Sequence, residues 1–125
     1  SYSMTKGIGT FEFMSPEMIN DDDYDNKTDV YSFGVILHYL FIGYLPKQTM
    51  ADKVKMTPIK LPEPSNSCSQ FCIDLISQCL SNNPNDRPSF EKILKELKNN
   101  SYKLSIGVDE TIISLRHQEL NIYKC

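Results

Sequence analysis

The run "DVYSFGVILHYLFI", from Asp29 to Ile42, limits what this chain can become more than any other stretch. Wound as a helix, its Val30, Phe33, Ile36, Leu37, Tyr39, Leu40 and Phe41 leave no polar face, and a helix apolar all round belongs inside a larger body. A membrane span is the competing reading. The longest apolar run, Phe33 to Leu45, holds about 13 residues with His38 and two glycines among them, short of the ~20 a bilayer requires. A buried core helix is therefore expected, closed by Gly43 and Pro46. Asp29 stands at its expected start, where an acid suits the helix dipole but is costly to bury without donors.

The remaining segments must supply the cover for that helix, and they read as further helices. Ser15 caps a short one, with Pro16 at the first helical position and Glu17 near the positive dipole end. "NDDDYDNKT", Asn20 to Thr28, is an acidic connection. Thr49, with Asp52 three residues on, starts a helix over 50–54, and "TPIKLPEPSNS" (Thr57 to Ser67) is a proline-broken loop. Ser67 with Gln70 makes a capping-box pattern, and Cys72, Leu75, Ile76, Cys79 and Leu80 then share one face of a helix ending near Ser81. After the turn-rich link "NNPNDRPS", Ser89 caps a helix whose Phe90, Ile93, Leu94 and Leu97 lie together. From Asn99 the pattern gives way to loop, with a further helix over 109–123 only weakly periodic. No segment alternates as a strand would, so the fold class is mainly α.

Charge and cysteine usage narrow the function classes. Sixteen acids against 13 bases give a net charge of −3, and the bases are scattered, which argues against a nucleic-acid footprint. Cys68, Cys72 and Cys79 follow helical spacing as small hydrophobes, with neither a C-x-x-C pair nor a histidine cluster to hold zinc. Thiols in this pattern point to a reducing, cytoplasmic setting. No basic and apolar leader opens the sequence, so neither secretion nor a membrane partner is expected.

Three landmarks stand in order along the chain. Gly9-Thr10 precedes Ser15-Pro16-Glu17 in "GTFEFMSPEM"; "DVYSFGV" opens the apolar helix; "NPNDRPSF" (Asn83 to Phe90) opens a later one. Together they resemble the lower, C-terminal lobe of a eukaryotic protein kinase from the end of the activation segment onward, over roughly Thr5 to Leu97. The resemblance implies an incomplete kinase fold without the N-lobe β-sheet. Residues 1–14 would be the end of the activation segment with its substrate loop, 15–99 the helical subdomain, and 100–125 an extension of unknown role.

What the resemblance implies about sites follows residue by residue. The Glu of the Ser-Pro-Glu sequence pairs in that family with the Arg of the late Asp-Arg-Pro turn, here Glu17 with Arg87. Read without the resemblance, both would be solvated surface charges worth ~0–1 kcal/mol. Asp29 looks like the aspartate that anchors the catalytic-loop backbone, although a plain helix-start acid would have the same sequence. Gly9 and Thr10 correspond to the pair that positions substrate, and Thr10 favours serine/threonine over tyrosine acceptors. Thr5 and Ser3 lie where regulatory phosphorylation would fall. Tyr31 and Leu80 stand where relatives often carry Trp, Phe11 where many have a small residue or Pro, and the ending after Cys79 is most similar to the tyrosine-kinase-like branch of serine/threonine kinases, expanded in some protozoa.

Phosphoryl transfer needs a Gly-rich loop, a strand Lys, a catalytic Asp with its Asn, and an Asp for magnesium. None is found in the 125 residues; "KGIGT" lacks the strand and the spacing. The expectation is thus a piece of a serine/threonine kinase that is inactive by itself, with ATP and magnesium bound elsewhere in the parent protein, a protein substrate, and the N-terminal part of the kinase as partner. A pseudokinase-like scaffold module and a helical interaction domain are the alternatives.

Overall fold

The computed structural model describes residues 10–21 and 23–100. A 3₁₀ turn, Thr10–Phe13, leads into α1 (Pro16–Asp21), α2 (Asn26–Ile42), α3 (Met50–Val54), α4 (Gln70–Cys79), a second 3₁₀ turn (Pro84–Asp86) and α5 (Phe90–Asn100). Among the described residues the only β pairing is one isolated bridge, Ser65 with Cys68. The fold is mainly helical, as its sequence indicates.

α2 is the axis of the molecule, and it begins earlier than the apolar pattern suggests. Its cap is Asp25: the carboxylate accepts from the backbone of Lys27 and Thr28, while the Thr28 hydroxyl accepts from the Asp25 amide. Asp29 is therefore a residue of the first turn and not the helix start. A reciprocal cap satisfies two orphan amides at once, so it outweighs the dipole preference that pointed to Asp29. At the far end Gly43 adopts φ 102°, and its amide bonds the Tyr39 carbonyl at 3.0 Å, the left-handed stop that glycine permits.

α4 packs along α2 at close range. A Cβ placed on Gly34 would lie 2.7 Å from the Cys79 Cβ, so the absence of a side chain sets the spacing of the two helices. Val30, Val35, Cys72, Ile76 and Cys79 fill the seam, each at most 1% exposed. Burial pushes the Cys79 thiol up to about 12, and the Cys72 thiol is raised as well, leaving both as inert core groups. The cap of α4 is Ser69, whose hydroxyl accepts from the Cys72 amide at 3.2 Å. Ser67, expected in that role, instead lies within hydrogen-bonding distance of Ser65. Two serines two residues apart offer the same chemistry, and the Ser65–Cys68 bridge fixes which one meets the helix.

The cover over α2 is one-sided. Ile36, Tyr39 and Leu40 are 44%, 56% and 65% exposed, so the helix that reads as buried all round is covered mainly along the side facing α4. α5 shows a narrower version of the same pattern. Ile93 is buried and Phe90 meets Phe33 edge-on at 5.8 Å, but Leu94 is 65% exposed and the helix continues through Asn100, past the expected loop start. No described helix is long and apolar enough to cross a membrane.

Candidate functional site

The chemistry-bearing residues converge where the Thr10–Phe13 turn and α1 meet the start of α2. Arg87 comes from the link after α4, 70 residues from Glu17 in sequence, and is 2% exposed. Its fork donates to both carboxylate oxygens of Glu17, at 2.6 Å from Nη1 and 2.8 Å from Nη2. Backbone carbonyls take the rest: Lys27 from Nη1 at 2.9 Å, Ser81 from Nε at 2.8 Å and Asn82 from Nη2 at 3.4 Å. All the donors of a guanidinium are thereby used, which is what its burial requires.

Glu17 is correspondingly well supplied. Its Oε2 also accepts from the Thr28 hydroxyl at 3.1 Å, so the cap of α2 and the ion pair are one network. Burial would raise its pKa, but the hydrogen bonds and charge of Arg87 outweigh that and hold it below the ordinary carboxylate value. Lys27 closes the ring by donating to the Arg87 carbonyl at 2.5 Å. Three chain regions far apart in sequence are thus locked at one point.

A second buried cation also lies near the Tyr31 ring. Lys53, on α3, is 2% exposed, and its ammonium donates to the carbonyls of Phe11, of Glu12 at 3.0 Å and of Met14 at 2.8 Å. Burial lowers its pKa to about 8, with the Glu12 charge opposing the shift. Both cations approach the Tyr31 ring, whose centroid is 5.1 Å from the Arg87 guanidinium carbon and 5.5 Å from Lys53 Nζ. Ser32 takes the remaining carbonyl of the segment, donating to Phe13 at 2.8 Å.

Each residue singled out in the sequence has a definite place or lies outside the described part. Glu17 and Arg87 are brought together. Asp29 sits apart from them, its Oδ1 accepting from the Tyr24 hydroxyl. Thr10 opens the 3₁₀ turn, while Gly9, Thr5 and Ser3 lie outside the described residues. Lys53 and Ser32 went unmarked because a lysine in "MADKV" and a serine in an apolar helix carry no motif. The one available signal for Ser32 was a hydroxyl on a helix that has no other polar stripe. Among the described residues no three His, Cys, Asp or Glu side chains gather so as to hold a metal ion.

A helical lobe whose Ser-Pro-Glu helix is tied by a buried Arg to a late turn, with the preceding segment clamped on the central helix, defines a protein kinase lower lobe. The family profile described as the protein kinase domain matches residues 1–97, and the chain belongs to that family. It is 37% identical over 90 residues to a "Probable serine/threonine-protein kinase" of Dictyostelium discoideum, covering 72% of this chain and 8% of that protein. Over 100 residues it is 40% identical to the serine/threonine/tyrosine-protein kinase HT1 of Arabidopsis thaliana, covering 73% of this chain and 24% of HT1. Mitogen-activated protein kinase kinase kinase 12 of Rattus norvegicus is 36% identical over 94 residues, 71% of this chain and 10% of the rat protein. The chain spans less than a quarter of the length of these curated relatives.

Proposed function

We propose that this chain supplies the substrate platform of a serine/threonine protein kinase, a parent protein that transfers the γ-phosphate of ATP to Ser or Thr of a protein substrate. The observation that carries the reading is the support of the segment after Thr10: the Glu17–Arg87 lock fixes α1 behind it, and Lys53 and Ser32 hold its carbonyls from below. Such a fixed backbone suits a surface that must present an acceptor residue in one orientation, because proximity and orientation account for a large share of enzymatic rate enhancement. On this reading Gly9 and Thr10 position the acceptor, Asp29 holds the catalytic-loop backbone, and Thr5 or Ser3 receives regulatory phosphate. The Gly-rich loop, strand Lys, catalytic Asp–Asn and magnesium Asp that phosphoryl transfer needs are not found in the 125 residues, so on this reading ATP and magnesium belong to other parts of the parent and residues 1–125 alone are inactive. The tyrosine-kinase-like branch and a cytoplasmic location belong to the same proposal.

The test is phosphotransfer by the full-length protein that contains this chain, assayed with ATP, magnesium and a mixed peptide library. Phosphate on Ser and Thr supports the reading. A folded protein that binds partners and transfers no phosphate would establish the scaffold alternative instead.

A further inference from the structure

The geometry points to Lys53 as a positioning residue that shapes the acceptor platform through the backbone of Phe11 to Met14, an inference that rests on the platform reading above. An ammonium carries three donors and no acceptor. In Lys53 three backbone carbonyls meet it, those of Phe11, Glu12 and Met14, and Ser32 holds the carbonyl of Phe13 between them. Four successive peptide carbonyls are therefore bound from beneath, which fixes the plane of each peptide and with it the direction of each side chain in the segment. An apolar residue at position 53 would fill the same space and orient none of them, and an Arg would spread its donors over a fork rather than bring them to one point.

The helix that carries Lys53 is itself pinned. Thr49 and Asp52 cap it reciprocally, with the Thr49 amide donating to Asp52 at 2.9 Å and the Asp52 amide to Thr49 at 3.1 Å. From α1, Asn20 donates to the Val54 carbonyl at 3.3 Å. Below the ammonium the Tyr31 ring limits its travel, and the Phe11 centroid stands 5.7 Å away. A helix of five residues thus holds one cation at a fixed height under the platform.

The experiment compares the full-length protein with its Lys53→Met and Ser32→Ala variants. Peptide kcat/KM, the KM for ATP, and hydrogen exchange of amides 11–14 against those of α4 are measured together. Lys53→Met is expected to lower peptide kcat/KM on the order of 10²-fold, mainly through the peptide KM, with the KM for ATP unchanged. Exchange should rise more in 11–14 than in α4, whose core amides report only the global loss of stability, and Ser32→Ala should move the same readouts less. A peptide kcat/KM within about twofold of the unaltered protein overturns the inference, as does an exchange increase spread equally over α4. If Lys53→Met does not fold, Ser32→Ala decides by the same two criteria. Should the unaltered protein transfer no phosphate, the platform reading fails. The exchange data then judge the clamp separately: a larger rise in 11–14 than in α4 keeps it, and equal or unchanged rates remove it.

Discussion

Arg87 and Lys53 are both 2% exposed and both approach the Tyr31 ring, yet they are neutralised in different ways. Arg87 meets a carboxylate and completes its coordination with carbonyls; the hydrogen bonds of Lys53 all go to carbonyls, with the Glu12 charge acting only through space. A charged partner makes one site a lock whose loss strands a buried ion. A cage of backbone dipoles makes the other a clamp whose loss leaves mainly neutral carbonyls, with the Glu12 carboxylate acting on it only through space.

Removal of either partner of the lock should therefore have the largest effect on stability. Arg87→Ala or Glu17→Ala is expected to cost about 3–5 kcal/mol in urea or thermal unfolding, since the remaining charge is buried without a counter-ion. Lys53→Met should cost less, about 1–3 kcal/mol, because it removes its own charge and the hydrogen-bond partners it leaves are all carbonyls, Glu12 being coupled to it only through space. A larger loss for Lys53→Met than for Arg87→Ala would break the distinction.

Acid should separate the two sites without any substitution. The folded pKa of Glu17 lies below its ordinary value of 4.5, so its stabilisation is fully present above about 4.5 and is lost as pH falls through the folded value. The carbonyls around Lys53 do not titrate in that range. Hydrogen exchange followed from neutral pH downward should show the α1–Arg87 region opening before the 11–14 segment; simultaneous opening would mean that Tyr31 couples the sites into one unit. The expected effect is smaller than that of Glu17→Ala, since a protonated carboxyl still accepts from Arg87 and Thr28.

The same contrast explains what the sequence disclosed. Glu17 and Arg87 were legible because a carboxylate–guanidinium pair is made by two side chains, each held in a recognisable string, Ser-Pro-Glu and Asp-Arg-Pro. Lys53 was not, because its partners are carbonyls that every residue possesses. The caps show the limit at shorter range. Thr49 and Ser89 were readable as the only suitable residue at their helix starts, whereas Asp25 and Ser69 each had a rival nearby and were settled by local pairings, the reciprocal cap with Thr28 and the Ser65–Cys68 bridge. The apolar run of α2 announced a core helix correctly, yet hydrophobicity alone cannot say which neighbour covers which side, and so the exposure of Ile36, Tyr39 and Leu40 went unforeseen.

Tyr31 offers the finest test of how separate the two sites are. Its ring is 1% exposed, its hydroxyl donates to Gln48 Oε1 at 3.2 Å, and Gln48 in turn donates to the Thr57 carbonyl at 3.0 Å. Burial raises the phenol to about 12, so it stays protonated and a donor throughout the physiological range. Tyr31→Phe keeps the ring beside both cations and removes only the link to Gln48, which should cost about 0.5–1.5 kcal/mol. Because the ring face is retained, the additional loss caused by Arg87→Ala and by Lys53→Met should be the same in the Tyr31→Phe background as in the unaltered chain. Non-additivity beyond ~0.5 kcal/mol with Lys53 alone would place the hydroxyl–Gln48 link in the clamp, by way of the α2–α3 connection. The same deviation with Arg87 would show that the lock extends through Tyr31, and the two cations would then have to be treated as one charged core.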